Sequence, residues 1–545
     1  MLIPRAPLAI SRVSLASRST LRAAPRPTLM AAQGRTASYS SFEGPKVKKV
    51  VTEDTTRRNG MIAAVLIATA AGLWYWETSR MGVYPSTARR DEFTVVVGRK
   101  VNRQTLTFDR KTNTEIEEML HEHEASEVPT RLGNPVARWD TNFIASNEPS
   151  EDRSAADIVP RGKEGETGQR DLAFFSVIDG HAGDATSQLL SRTLHPTLSL
   201  GLAGLQAGIV PGRSWYGQIY DILTWAKTWS PINISKSLEA SFVKLDDHIS
   251  AGPIRALPDM LTDQSDEARE KFAALAAPAA AGAVVGTALV DAENDSVYVA
   301  VTGDCRAVAG WQGPDGWRSD TLSEDQMGDN PKEVARMRAE HPPYEGDTVI
   351  RNGRVQGGLQ PTRAFGDAVY KWTTVQGEAV NALIKDAGEK PRSIRPWNFT
   401  PPYVTARPVV EYRRLKGANG EKLRFIVLAT DGLWDRITSE EATLLTAAYL
   451  AEKKRADVNK AKLVQEIPFK TTEPRPFPVQ DLPGSGKRGQ GQWVFEGDAN
   501  AATHLIRNAL GGGDRKLRGE LLSLNGKVAR YFRDDMTVTV IFFEE

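Results

Sequence analysis

The chain has 545 residues, is 40% hydrophobic and 25% charged, and carries a formal net charge of +1. These values are ordinary for a folded soluble protein of one large domain plus extensions, and the near-zero charge gives no reason to expect nucleic-acid binding. Cys305 is the only cysteine, which excludes an internal disulfide and a thiolate zinc site.

Residues 1–42 contain six arginines (Arg5, Arg12, Arg18, Arg22, Arg26 and Arg35), many Ser and Ala, and no acid before Glu43. That composition predicts a mitochondrial transit peptide over about residues 1–45, since a secretory signal would have one continuous apolar core. Met61–Trp76 follows without a charge. It falls short of the roughly 20 residues that span a bilayer, but flanking residues can extend it to 58–79. Trp74, Tyr75 and Trp76 bunch at one end, as interfacial anchors do. The expectation is a transmembrane or sorting segment of the inner membrane, with the catalytic domain in the matrix or the intermembrane space.

Thr94–Val97 reads as a short strand, and residues 146–170 as a polar loop carrying Glu151-Asp152-Arg153. Asp171–Asp179 reads as a buried strand, with a helix from Ala185 behind it. Residues 200–232 give no clear pattern. Ile234–Ile249 and the Ala-rich Ala268–Ala281 predict helices, followed by a hairpin of Ala283–Val290 with Ser296–Val301. Asn330-Pro331-Lys332-Glu333 and Thr438-Ser439-Glu440-Glu441 carry helix-start signals. Residues 466–495, rich in Pro, Gly and charge, predict an exposed loop.

Four of the apolar runs carry an Asp at an end: FFSVIDGH (Asp179), VYVAVTGD (Asp304), FIVLATDG (Asp431) and RDDMTVTVIFF (Asp534). Strands lying side by side would gather such ends. Clustered carboxylates repel unless a hard cation lies between them, so the pattern points to Mg²⁺ or Mn²⁺. Gly180 lets its own carbonyl approach the same ion, and His181 stands close enough to protonate a leaving oxygen. Asp304 and Asp367 are two further Gly-Asp corners. Arg306 and Arg363 beside them fit equally as structural ion-pair partners or as phosphate ligands.

Other chemistries fail on the sequence. Cys305 is not surrounded by a Cys–His phosphatase loop. Pro483–Gly489 lacks the first Gly of a P-loop and follows no strand, and no kinase signature, GxSxG elbow or HExxH helix occurs.

In order, EDR (151–153), FFSVIDGHAG (174–183), TGDCRAV (302–308), GLQPTRAFGD (358–367), VLATDGLWD (427–435) and RDDMTVTVIF (533–542) resemble the PP2C-type metal-dependent protein phosphatase family over about residues 135–545. NEPSEDRSA, GGLQPTRAFGDAVYKW, an insertion at about 368–400 and PPYVTARPVVEY are similar to its pyruvate dehydrogenase phosphatase branch. The resemblance implies an α+β fold, an αββα sandwich of two mainly antiparallel sheets flanked by helices, with insertions at about 368–400 and 466–495. It implies that Asp152, Asp179, the Gly180 carbonyl, Asp431 and Asp534 hold two Mg²⁺ or Mn²⁺ ions, and that Glu151 binds a metal-bound water. Asp304 and Asp367 resemble acids around a third ion, and His181 the general acid.

Family members commonly place an Arg five residues before the first metal Asp to clamp the substrate phosphate. Here Asn147 stands there, as in the branch, and offers only a neutral hydrogen bond. The implied activity is hydrolysis of phosphoserine by a metal-activated hydroxide, with pyruvate dehydrogenase E1 as the phosphoprotein substrate. The alternatives are other mitochondrial phosphoproteins, or an inactive membrane-anchored scaffold, against which the full set of metal acids argues.

Overall fold

The computed structural model describes residues 91–98, 103–162, 166–223, 228–451, 458–459, 463, 466–470 and 492–544. All lie in one compact unit, Arg89–Glu545. The expected transit peptide at 1–45 and the apolar segment at 58–79 fall outside the described residues. Among the described residues no helix is long and apolar enough to cross a membrane.

Besides two short two-stranded pairs at 350–355 and 458–493, the strands are β1 (Glu92–Val97), β2 (Gln104–Asp109), β3 (Ala125–Glu127), β4 (Val136–Ile144), β5 (Arg153–Val159), β6 (Leu172–His181), β7 (Gly282–Asp291), β8 (Ser296–Thr302), β9 (Arg306–Gly313), β10 (Gly316–Thr321), β11 (Phe365–Gly366), β12 (Val409–Arg414), β13 (Lys422–Ala429), β14 (Phe469–Lys470) and β15 (Met536–Phe543). One sheet runs β14-β10-β9-β13-β15-β4-β3, and the other β12-β8-β7-β6-β5 with β11 beside β7. Pairing is antiparallel except between β10 and β14.

The central strands are apolar at nearly every position because both of their faces are covered. Successive side chains alternate in direction, so Phe175 and Val177 of β6 meet Ile426 and Leu428 of β13 and Ile541 of β15 between the sheets. Phe174 and Ile178 point the other way, under the helices α2 (Ala185–Gln206), α4 (Pro231–Thr262) and α5 (Asp266–Ala280). On the opposite side, Phe425, Val427, Val538 and Val540 pack beneath α9 (Ser439–Leu450) and α10 (Ala501–Ala509). Three apolar layers between four layers of secondary structure make the expected αββα sandwich.

Several elements sharpen the sequence reading. The unclear stretch 200–232 contains the end of α2, a helix α3 (Trp215–Leu223) and the start of α4. Residues 113–127, upstream of the expected boundary at 135, belong to the same packed body: Ile116 and Leu120 of α1 (Asn113–His121) enter the helix-side core, and β3 pairs with β4. Thr438 and Glu441 form a reciprocal cap at α9. At α6 (Pro331–Glu340) Asn330 caps as expected by accepting from the Lys332 N–H at 2.9 Å. Glu333 completes no box there, because Arg363, Arg336 and Thr362 claim its carboxylate at 2.7, 2.7 and 2.6 Å. Within 466–495, Phe469–Lys470 forms an edge strand, and residues 471–491 lie outside the described residues. The insertion at 368–400 carries α7 (Thr374–Asp386), and its Arg392 donates to the Ala182 carbonyl at 2.7 Å.

Candidate active site

Strand register assembles the site. β6 runs through Asp179, Gly180 and His181, which lie opposite Val284, Ala283 and Gly282 of β7. A Cβ on Gly180 would overlap the Glu151 carbonyl and stand 2.7 Å from Ser187 Oγ, so only glycine lets the 151–152 loop close against the strand end. A Cβ on Gly282 would overlap His181 Nε2 and Asp367 Oδ2 together. From the other sheet, β13 ends at Ala429 and turns into α8 (Asp431–Trp434), placing Asp431 at its first position. Thr430 Oγ1 donates to Asp152 Oδ2 at 2.8 Å and accepts from the Thr537 N–H at 2.9 Å. One hydroxyl thus ties Asp152 to both β13 and β15.

The electrostatics single out four carboxylates. Burial, then the charge of Asp535, pushes Asp152 up to about 8. Burial, then Asp152, Asp431 and Asp304, holds Asp179 well above the usual carboxylate range. Burial, with Asp431 and Asp325 nearby, pushes Asp304 up to about 8. Burial and Asp435 push Asp431 up to about 6. Asp152 Oδ1 and Asp431 Oδ1 are buried without a hydrogen-bond partner.

Buried polar atoms are ordinarily satisfied, and like charges gathered in a low-dielectric pocket are costly. The donor set is all oxygen, which suits Mg²⁺ or Mn²⁺ rather than a softer ion. The residues present therefore fit such a cation, although among the described residues no three His, Cys, Asp or Glu side chains already form a ligand shell.

The remaining sequence candidates take distinct places. Glu151 accepts from the Gly183 N–H at 2.5 Å and from Asn147 Nδ2 at 3.0 Å. Asn147 also points Nδ2 at Asp535 Oδ2, 3.3 Å away. Asp534 pairs with Arg530, one helical turn earlier on α11 (Gly526–Phe532). Asp367 sits 2.5 Å from His181 Nε2. Burial pulls the imidazole pKa down, but the charge and hydrogen bond of Asp367, with Asp304 and Glu151 beyond, raise it on balance. The open question over the two arginines resolves toward structure: Arg306 pairs with Asp325 at 2.5 Å, and Arg363 with Glu333 at 2.7 Å. Cys305 is fully buried, and burial pushes its thiol up, so it is no nucleophile.

Sequence reasoning missed Asp535. Its carboxylate accepts from the N–H groups of Ser146, Asn147 and Glu151 at 2.5, 2.9 and 2.8 Å, and from the Ser146 and Ser150 hydroxyls. Burial raises its pKa, but those N–H groups outweigh burial and leave it below the usual range. Asp535 thus folds the loop that carries Glu151 and Asp152. Only the adjacent acid in Asp534-Asp535 hinted at this, and nothing local separates the two roles. Sequence reasoning also passed over Ser176, His195 and Asp157, linked at 2.8 and 2.6 Å. Those residue types suggest a nucleophile triad, but Ser176 is fully buried in β6 beneath α2 and also bonded to Thr287. It is a structural network.

The model of the family described as protein phosphatase 2C matches residues 232–467. Mitochondrial pyruvate dehydrogenase (acetyl-transferring) phosphatase 1 of Saccharomyces cerevisiae is 34% identical over 447 residues, 79% of this chain and 73% of the relative. A protein phosphatase 2C homolog of Schizosaccharomyces pombe is 35% identical over 411 residues, 75% of this chain and 81% of its own. The chain belongs to the protein phosphatase 2C family. Mitochondrial pyruvate dehydrogenase (acetyl-transferring) phosphatase 2 of Homo sapiens is 30% identical over 464 residues, 77% of this chain and 80% of the relative. The protein is thus a PP2C-type protein serine/threonine phosphatase homologous to the pyruvate dehydrogenase phosphatases, in a family that generally depends on Mg²⁺ or Mn²⁺.

Proposed function

We propose that this phosphatase acts on phosphoserine of the pyruvate dehydrogenase E1 subunit in mitochondria, with two divalent ions held by Asp152, Asp179, the Gly180 carbonyl, Asp431 and Asp534. The observation that carries the ion assignment is the group of mutually repelling buried carboxylates with orphaned oxygens on Asp152 and Asp431. The relatives named for that substrate, aligned over more than three quarters of the chain, support the substrate. So does the arginine-rich, acid-free leader.

Bound Mg²⁺ or Mn²⁺ supplies neutralisation of the phosphoryl charge and acidification of a water. The chain's own residues do the rest. Asp179 and Gly180 come from one sheet and Asp431 and Asp534 from the other, so the rim of the sandwich fixes their spacing. Glu151, positioned by Asn147 and Gly183, orients water at that rim. His181, whose pKa Asp367 raises against the effect of burial, delivers its proton to the departing serine oxygen. Asp304 borders Asp431 and His181 and suits a further cation position. Asp367 supports His181 in the first instance.

The experiment is hydrolysis of a phosphoserine peptide from E1, set against unrelated mitochondrial phosphopeptides, with and without EDTA. Equal rates on all peptides would remove the E1 assignment and leave a broader mitochondrial phosphatase. EDTA-resistant hydrolysis would remove the metal assignment. Carbonate extraction and protease protection in mitoplasts test the inner-membrane anchor and the side on which the catalytic domain lies.

A further inference from the structure

A phosphomonoester dianion at this rim needs charged donors as well as cations, because its peripheral oxygens carry charge that point ions offset unevenly. The rim's polar side chains are largely committed. The Asn147 amide faces Glu151 and Asp535. Arg153 is held by the Ser150 and Asp152 carbonyls and by Asp184. Arg306 is paired with Asp325 and lies over the Trp434 ring. Arg533 is buried against the Leu521 and Ala145 carbonyls. Arg392 is bound to the Ala182 carbonyl.

Arg530 differs from all of these. It stands on α11 one turn before Asp534, its side chain is 40% exposed, and its ion partner is Asp534 itself. Its charge acts on both Asp179 and Asp431, acids contributed by the two opposing sheets. A guanidinium that leans into a carboxylate cluster from solvent is placed to follow negative charge as it changes position. When Asp534 turns to a cation, the fork of Arg530 becomes available, and a planar fork matches two phosphoryl oxygens.

We propose that Arg530 binds the phosphoryl oxygens of the phosphoserine substrate and of the phosphate product, supplying the charged donor that Asn147 lacks. This rests on the ion assignment above. The test compares wild type with Arg530→Gln, Arg530→Lys and Arg392→Gln. Three quantities are read: the affinity of inorganic phosphate for the Mn²⁺-loaded protein by calorimetry, KM for a phosphoserine peptide at saturating Mn²⁺, and the Mn²⁺ affinity without phosphate.

The expected result is phosphate affinity weakened by about 10-fold or more in Arg530→Gln, with KM raised in parallel, partial rescue by Lys, and Mn²⁺ affinity unchanged or tighter. Unaltered phosphate affinity in Arg530→Gln would overturn the proposal. So would a loss that follows weakened Mn²⁺ binding, which would make Arg530 a support for Asp534, or a loss seen in Arg392→Gln alone. Failure of wild type to bind Mn²⁺ would instead overturn the ion assignment, and the two failures are therefore distinct.

Discussion

The molecule contains two buried clusters of charge that obey opposite rules. In one, Arg507, only 1% exposed, is shared by Glu117, Glu496 and Asp498 at 2.7, 2.6 and 2.6 Å, with Arg518 behind. Burial raises the acids' pKa values, but Arg507 holds Glu117 below the usual range, and His504 together with Arg507 does the same for Asp498. In the other, Asp152, Asp179, Asp304 and Asp431 face one another, and every pKa is pushed up. The first cluster fastens α1 to α10 and gives each of its acids a guanidinium partner. The second is destabilising as it stands and makes sense only with a cation. Charge balance, rather than burial or acidity, separates a strut from a site.

Substitutions in the two clusters have opposite expected effects. Asp179→Asn or Asp431→Asn is expected to cut phosphopeptide turnover by at least roughly 100-fold while leaving the EDTA-treated protein folded and more heat-stable. Arg507→Ala, in contrast, should cost about 3–5 kcal/mol of stability by stranding three acids. Chemical denaturation and turnover on the same preparations check both. Full turnover in a folded Asp179→Asn protein would refute the metal role.

Proton linkage gives the next largest effect. Asp152 and Asp304 titrate at about 8 in the folded chain against 3.8 unfolded. Carboxyls raised in this way contribute stability that is full below 3.8 and lost as pH rises through about 8. The EDTA-treated protein should therefore melt several degrees lower at pH 9 than at pH 6, and saturating Mg²⁺ should remove most of that slope. A melting temperature that rises with pH over this range in EDTA would contradict the repulsion.

A finer contrast concerns two imidazoles, each paired with one aspartate. His181 is raised by Asp367, so Asp367→Asn should move the alkaline limb of kcat to lower pH at saturating Mn²⁺. His195 is paired with Asp157 and Ser176 inside the fold. Ser176→Ala should leave turnover within about 2-fold and cost about 1 kcal/mol of stability, measured by denaturant titration. An unmoved pH profile in Asp367→Asn would reduce that residue to a spacer.

Apolar patterning made the central strands legible, motif order implied the layered fold, and both drew attention to the acids Asp179, Asp304 and Asp431 that the fold gathers. Apolar runs ending in Asp179 and Asp431 announced both the central strands and their carboxylate-bearing ends, because a strand buried on both faces can show polarity only where it leaves the sheet. Asp152 was legible only through its motif, since it ends no apolar run. Tertiary structure alone decided which of two neighbouring acids, Asp534 or Asp535, organises the 146–151 loop. It also placed Asp367 against His181, set Arg363 on Glu333 and left Arg530 at the rim. The pairings of Asp535, Asp367 and Arg363 span 30 to several hundred residues and are fixed by strand register and packing. A carboxylate's chemistry depends on the partner it meets, and no local pattern encodes that partner.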